Sequence, residues 1–508
     1  MERVSLARAF AFAAGRRGAA HVDGSGSRRL ARFILASSVA LLIGYLLIWL
    51  RISAVDLGRS DFTSFYVGGT LLRDGHGAAL YNQALQQWLH SRLIAPDREP
   101  NLPFVNPPLA AFVVLPATFL PLAAAFHVWS LVEVAVLAAA VIIAVRNAPW
   151  PRNTPLLWRS ATVAAALASL GTWTVLMQAQ WTPVLALGIA LAYRFWKRGH
   201  EATGALILVV AAGMAKPQLA LGLMAFLVGW RRRRVILGAL AGSVVLVVGC
   251  LALVGTSGVG GFIGILAAST TRWDLRNMLS FVGVVGSYFG NGAAAHAVGA
   301  LATAGACAAA VWFGSMVRRD TSRLDVALIG ATLFSLLAAP HAYSDDLVML
   351  APVFVIAVAV GSRHAAAPSR RPAGLPMLLV YGSWALISVA AFADFADAAS
   401  FPPGQLTGWA LFAAAAGVAA VTVKSARAVG HVDLRGRAAR GDVISIGGIG
   451  EPRSARLLGQ RRHDPYTPRT ARVPRGRHAA RHPTQPVMRI DLEGEYPEAD
   501  PEALPART

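Results

Sequence analysis

The densest grouping of chemically versatile side chains in the chain is Pro340-His341-Ala342-Tyr343-Ser344-Asp345-Asp346, an imidazole, a phenol and two carboxylates between apolar stretches. Such a segment is either an ordinary hydrated turn or an acid/base or phosphate-binding group, with His341 the most versatile member because imidazole changes charge near neutral pH. Two carboxylates with one histidine could hold a divalent metal, although nothing in the spacing is specific for one. Lys216 stands out by type. Of the 47 basic residues only three are lysines, and Lys197 and Lys424 flank apolar stretches, whereas Lys216 interrupts one in Met214-Ala215-Lys216-Pro217-Gln218. A lysine so placed either snorkels to a surface from the helix break at Pro217 or is a functional buried charge. Its ammonium would suit a phosphate as a point charge.

Asp61 is the third candidate. It stands just before a run with helical spacing, Phe62, Phe65, Tyr66, Gly69 and Leu72. A carboxylate at a helix start can cap free N–H groups; at a membrane surface it can equally act as a general base. Asp56 and Asp74 compete with it nearby. Thr271-Arg272-Trp273-Asp274-Leu275-Arg276-Asn277 carries two guanidinium groups and an indole, a set able to meet a phosphate or sugar, or merely to decorate a surface.

These residues must be positioned by a chain of 508 residues that is 55% hydrophobic and only 14% charged. Soluble chains carry about 25% charged residues, and the mean hydropathy here is +0.52. Apolar runs long enough to span a bilayer recur from residue 33 to residue 423. The composition therefore predicts an all-α polytopic membrane protein. The formal net charge of +21 gathers in residues 1–32, in short arginine-rich loops and after residue 424. That is the positive-inside pattern of a membrane protein, not a nucleic-acid-binding surface. Cys250 and Cys307 both lie in apolar stretches, so neither a disulfide framework nor a cysteine metal cluster is expected.

The threading follows from those loops. A basic cytoplasmic N-terminus (1–32) leads into a first span at 33–50, read as an uncleaved anchor, which places residues 51–105 outside. Arginines at 194–198, 231–234, 318–323 and 363–371 mark the inner side. Apolar stretches pair into hairpins at 160–196, 202–230, 324–361 and 375–423, with single crossings at 235–255 and 293–316. Residues 105–145 read as two helices broken near Pro121, one of them re-entrant or half-length. The expected total is about twelve crossings in a body covering 33–423. Four connectors then fall on the same side as loop 51–105: Gln178–Thr182, the turn at Lys216, the loop 256–292 and Pro340–Asp346. Within 51–105, the helical spacing of Phe62–Leu72 and of Leu80, Ala84, Leu85, Trp88 and Leu89 predicts two interfacial helices, apolar face down. Residues 424–508, rich in Arg, Pro, Gly and His, read as a disordered basic cytoplasmic tail.

An ordered series of motifs over about 33–360 resembles the polyprenyl-phosphate-dependent GT-C glycosyltransferases, and among them family 87. It comprises Asp61-Phe62-Thr63-Ser64-Phe65-Tyr66, Leu71-Leu72-Arg73-Asp74-Gly75, Leu80-Tyr81-Asn82, Asn106-Pro107-Pro108-Leu109, Ala179-Gln180, Lys216-Pro217-Gln218, Asn277-Met278-Leu279-Ser280, and the Pro340-His341 to Asp345-Asp346 turn. The departures are Asn82 for an expected Asp, Asn106 for Tyr and Ala179 for Gly.

The resemblance implies a GT-C-like bundle with a catalytic first outer loop. It also implies inverting transfer of a hexose, often mannose, from a polyprenyl-phosphate-linked sugar donor to a lipid or glycan acceptor. Asp61 and His341 map onto the family's catalytic aspartate and histidine. Lys216 and Arg272 are the candidates for the donor phosphate, and Tyr66, Gln180, Asn277, Tyr343, Asp345 and Asp346 for substrate contacts. Membrane lipids, and no nucleic acid, are the other expected partners. The expected location is a bacterial inner membrane, with the site facing the periplasm. The rival class is a polytopic transporter or lipid-linked sugar flippase, against which stand the long outer loop and the lack of matching broken helices in two halves. A third reading is an inactive membrane scaffold that recruits partners through its basic tail.

Overall fold

A computed structural model describes residues 24–94, 102–272, 275–365, 375–396 and 404–439. Among these there is no strand. The helices are α1 (Gly24–Trp49), α2 (Ala54–Gly58), α3 (Phe62–Arg73), α4 (Gln83–Leu93), α5 (Pro108–Val114), α6 (Leu122–Asn147), α7 (Leu156–Leu167), α8 (Leu170–Gln178) and α9 (Pro183–Lys197). They continue as α10 (Glu201–Met214), α11 (Leu221–Trp230), α12 (Arg233–Arg272), α13 (Phe281–Phe289), α14 (Ala293–Arg319), α15 (Leu324–Ala338), α16 (Ala351–Ala365), α17 (Leu375–Phe395) and α18 (Gln405–Ala439). Short 3-10 turns link several of them, including one at Ser344–Leu350.

Eight of the described helices are long and apolar enough to cross a membrane, or nine if the bent pair α7 and α8 is one span. The expectation of about twelve counted further segments that are short. Glu201–Met214 has 14 residues, and at about 1.5 Å per residue it reaches about 21 Å, short of a hydrocarbon core of about 30 Å. The break expected near Pro121 is present. Pro121 precedes α6, and the short apolar segment Pro108–Phe119 lies before it.

Three expectations are corrected. The 202–230 stretch is not a paired hairpin. Pro217 forces Lys216 into extended backbone (φ −139°, ψ 92°), and beyond this break the two halves take different neighbours. α10 packs on α9 and α12, α11 on α14 and α15. The span expected at 235–255 does not stop there: helix continues to Arg272 across a kink at Gly255 (φ 66°), and with Phe281–Phe289 also helical most of the expected loop 256–292 is helix. The tail is helical at its start, because α18 runs on to Ala439 instead of ending at 423. Residues 440–508, like 1–23, lie outside the described residues.

Within the segment 51–105, α3 packs into the protein instead of lying flat. Phe62 to Leu71 are buried on every side of α3, which packs on Pro108–Val114, on Leu115–Phe119 and on α4. Gly68 and Gly69 allow this approach: a Cβ would fall 2.8 Å from the Phe104 ring and 2.8 Å from Val114. A one-sided periodicity of large apolar residues cannot reveal that the small residues between them are packed too. The second helix begins at Gln83, later than Leu80, because the Asn82 side chain accepts the Leu85 N–H at 3.1 Å and caps it.

Candidate active site

Asp61 occupies the N-cap position of α3, yet its carboxylate makes no capping hydrogen bond. It turns instead to the α8–α9 connector. The Gln180 amide donates to Asp61 Oδ2, and the Asp61 N–H donates to Gln178 Oε1 at 3.0 Å. Oδ1 takes no hydrogen bond among the described residues. Gln180 reaches Asp61 because α8 ends at Ala179 in the left-handed conformation (φ 50°, ψ 49°), after which Thr182-Pro183 starts α9 with proline in its first turn.

Behind this pair lies a buried ion network. Lys216 Nζ donates to Asp345 Oδ2 and Asp346 Oδ1, both at 2.7 Å, with all three side chains at most 7% exposed. Thr182 Oγ1 donates to Asp346 Oδ1 at 2.7 Å, and the Tyr343 N–H donates to Asp346 Oδ2 at 2.9 Å. Ser335 anchors the Lys216 break to α15. Its hydroxyl donates to the Leu219 carbonyl at 2.6 Å and accepts the Leu223 N–H at 3.0 Å. Gly171 of α8 supports the aspartate turn, since a Cβ there would stand 3.0 Å from the Val348 nitrogen and 3.1 Å from the Ser344 carbonyl oxygen.

The His341 and Tyr343 rings meet edge to face, centroids 4.7 Å apart. The Leu279 N–H donates to the Ala342 carbonyl at 2.9 Å, tying the Asn277–Ser280 segment to the same turn. Thus Asp61 of the first outer loop, the Gln178–Thr182 connector, Lys216 and the Pro340–Asp346 turn meet in one place, with Leu279 tied to that turn. Lys197 and Asp325 pair at 3.0 Å, joining the arginine-rich stretch 194–198 to the first turn of α15.

Burial raises the pKa of Asp61 to about 6; the nearby Asp345 charge adds to the rise, while Lys216 and the Gln180 hydrogen bond oppose it. The carboxyl thus titrates close to neutrality, where a base works best. Burial, then the Lys216 charge, lowers His341 to about 4 against the pull of Asp345, so its imidazole is neutral at physiological pH. Tyr343 is raised by burial and next by the Asp61 charge.

Residues 104–340 match the sequence model of glycosyltransferase family 87. The family found on the motifs is therefore also the one matched over the central part of the chain, and family 87 points to a membrane glycosyltransferase. The match includes Gln180 and Lys216 and ends at Pro340; Asp61 lies before it and Asp345 and Asp346 after it. No curated protein and no solved structure matches the chain.

Two of the three departures from the expected motifs have a local reason, and the third carries backbone strain. Asn82 caps a helix, a task for which Asn and Asp are equivalent. At Asn106 the backbone carbonyl is what is used, accepting the Tyr81 hydroxyl at 2.7 Å. Ala179 sits at positive φ, where glycine is free of strain.

The structure brings Asp61, Gln180, Lys216, His341, Tyr343, Asp345 and Asp346 together. The Tyr66 hydroxyl is engaged elsewhere, donating to the Leu120 carbonyl at 2.8 Å. Asn277 is exposed at the end of a 3-10 turn. The side chain of Arg272 and residues Trp273 and Asp274 lie outside the described part. Lys216 neither snorkels nor offers a bare ammonium, because both aspartates hold it. Those aspartates in turn spend oxygens on Lys216 and Thr182, and among the described residues no three or more His, Cys, Asp or Glu are grouped to hold a metal. Sequence reasoning missed Glu133, fully buried in α6. Its signal was available: a lone acid inside the apolar run 122–145.

Proposed function

We propose that the protein transfers a hexose, with mannose the first candidate, from a polyprenyl-phosphate donor to a lipid or glycan acceptor, inverting the anomeric centre. Asp61 is the general base. The observation that carries this reading is the placement of the Asp61 carboxylate: one oxygen held by Gln180, the other unengaged, at the junction of the first outer loop with the connectors. An acceptor hydroxyl attacks the anomeric carbon as its proton passes to Asp61 Oδ1. The new C–O bond forms on one face while the bond to the phosphate oxygen breaks on the other, and polyprenyl phosphate departs with the electron pair. Neutral His341 is suited to give an N–H to a phosphate oxygen as charge grows there.

Lys216 shares its charge with Asp345 and Asp346, so we assign it to balancing those carboxylates and holding them in place. Arg272 remains the cationic candidate for the phosphate. The positive-inside pattern supports a site on the face opposite the arginine-rich loops, which in a bacterial inner membrane is the periplasmic one.

The test is transfer from labelled polyprenyl-phosphate hexoses by the reconstituted full-length protein, alongside Asp61→Asn. Loss of transfer in a variant that stays folded in detergent supports the assignment. Full activity in that variant removes Asp61 as the base.

A further inference from the structure

Four described residues around the Gln180–Thr182 connector leave buried polar atoms without a hydrogen bond: both carboxylate oxygens of Glu133, the indole Nε1 of Trp129 and of Trp181, and Gln180 Oε1. Buried polar groups are nearly always paired, and each unpaired one costs stability. Such a concentration beside a candidate active site therefore calls for a ligand. The four share one neighbourhood. Trp129 and Glu133 are four residues apart on α6, hence on one face, and the Trp129 N–H lies beside Glu133 without completing a bond to it. The Trp129 and Trp181 rings stack with centroids 4.9 Å apart, bringing that face against the connector. Glu133 is within electrostatic reach of Lys216. Gln180 joins the group to Asp61, since its amide nitrogen serves the aspartate while its oxygen is left over.

We propose that Glu133, with the Trp129 and Trp181 N–H groups and Gln180 Oε1, binds the hydroxyls of the donor's sugar. The chemistry matches in kind. Two indoles supply donors and the amide oxygen an acceptor, while the Glu133 carboxyl accepts at its oxygens and, when it carries a proton, also donates. A sugar hydroxyl donates and accepts at once, so a ring with several of them satisfies both sets, and aromatic faces beside it suit its apolar C–H side. A phosphate has nothing to donate to a carboxylate, and an apolar tail would leave every one of these atoms unpaired. This inference rests on the glycosyltransferase reading above and names the part of the site that holds the sugar.

The experiment compares binding of polyprenyl-phosphate mannose and of sugar-free polyprenyl phosphate to the full-length protein in nanodiscs, for wild type, Glu133→Gln and Trp129→Phe, with thermal midpoints for each. The expected result is about tenfold or more weaker binding of the sugar-bearing lipid in Glu133→Gln, because the amide puts a donor where a buried carboxyl oxygen accepts and leaves a sugar hydroxyl unsatisfied. Affinity for the sugar-free lipid should be unchanged, and the midpoint equal or higher because an unpaired buried carboxylate has been removed. Trp129→Phe should show the same selectivity. Equal weakening of both lipids, or no change in either, overturns the inference and leaves those atoms to buried water. A wild-type protein that transfers mannose while Glu133→Gln keeps its preference sinks this inference alone. A wild type that neither transfers nor prefers the sugar-bearing lipid sinks both readings.

Discussion

At the residue scale, the site is governed by how a few buried charges share one another. Asp61 titrates near 6 and must be ionised to accept a proton. Activity should accordingly rise with pH through about 6 and level off above it, with no second rise to match His341, already neutral above about 4. A pH profile of kcat/KM for transfer checks this, and a profile flat from pH 5 to 8 would remove Asp61 from the proton transfer. Lys216 acts differently. Breaking a buried ion pair from one side costs about 3–5 kcal/mol because the remaining charges are left uncompensated. Lys216→Ala is thus expected to lower the folded fraction and thermal midpoint in detergent. A selective loss of donor affinity at an unchanged midpoint would instead return the ammonium to the phosphate.

Among the elements, the α8–α9 connector is the critical one, because it supplies Gln178, Gln180 and Thr182 to two different parts of the site. Its geometry depends on Ala179 at positive φ, a conformation costing an L-residue about 1–2 kcal/mol. Ala179→Gly should relieve that strain and leave activity intact with an equal or higher midpoint, whereas Ala179→Val should lower both. Thermal melts and transfer assays on the pair decide it; a stabilised Val variant would mean the turn is not left-handed. Gly171 is the matching contact on α8. A methyl there meets the backbone of the Ser344–Leu350 turn, so Gly171→Ala is expected to displace the aspartates and reduce turnover, as steady-state rates would register.

For the molecule as a whole, the bundle brings connectors more than a hundred residues apart together at the site. The compact unit containing every site residue ends at Gly441. A protein truncated after Gly441 should keep its transfer rate after reconstitution. A large loss would give the basic tail a part in turnover and favour a recruiting role for it.

What the sequence settled by itself is what depends on local chemistry and counting. Apolar length and sparse charge require spanning helices, arginine-rich loops divide the connectors between two sides, and Pro121 and Pro217 mark breaks because proline cannot continue a helix. The ordered motifs named the family that residues 104–340 match and singled out Asp61 from its neighbours Asp56 and Asp74, while Lys216 and His341 stood out by type. Only the tertiary structure decided the partners. No spacing rule says that Gln180 will hold Asp61, that Asp345 and Asp346 will close on Lys216, or that α3 will be buried instead of lying on the interface. Each depends on segments more than a hundred residues apart, or on which faces of a helix find neighbours. Glu133 shows the same limit. A lone acid in an apolar run is visible in the sequence, but what faces it is set by the packing of α6 against the connector, a long-range outcome that no local pattern encodes.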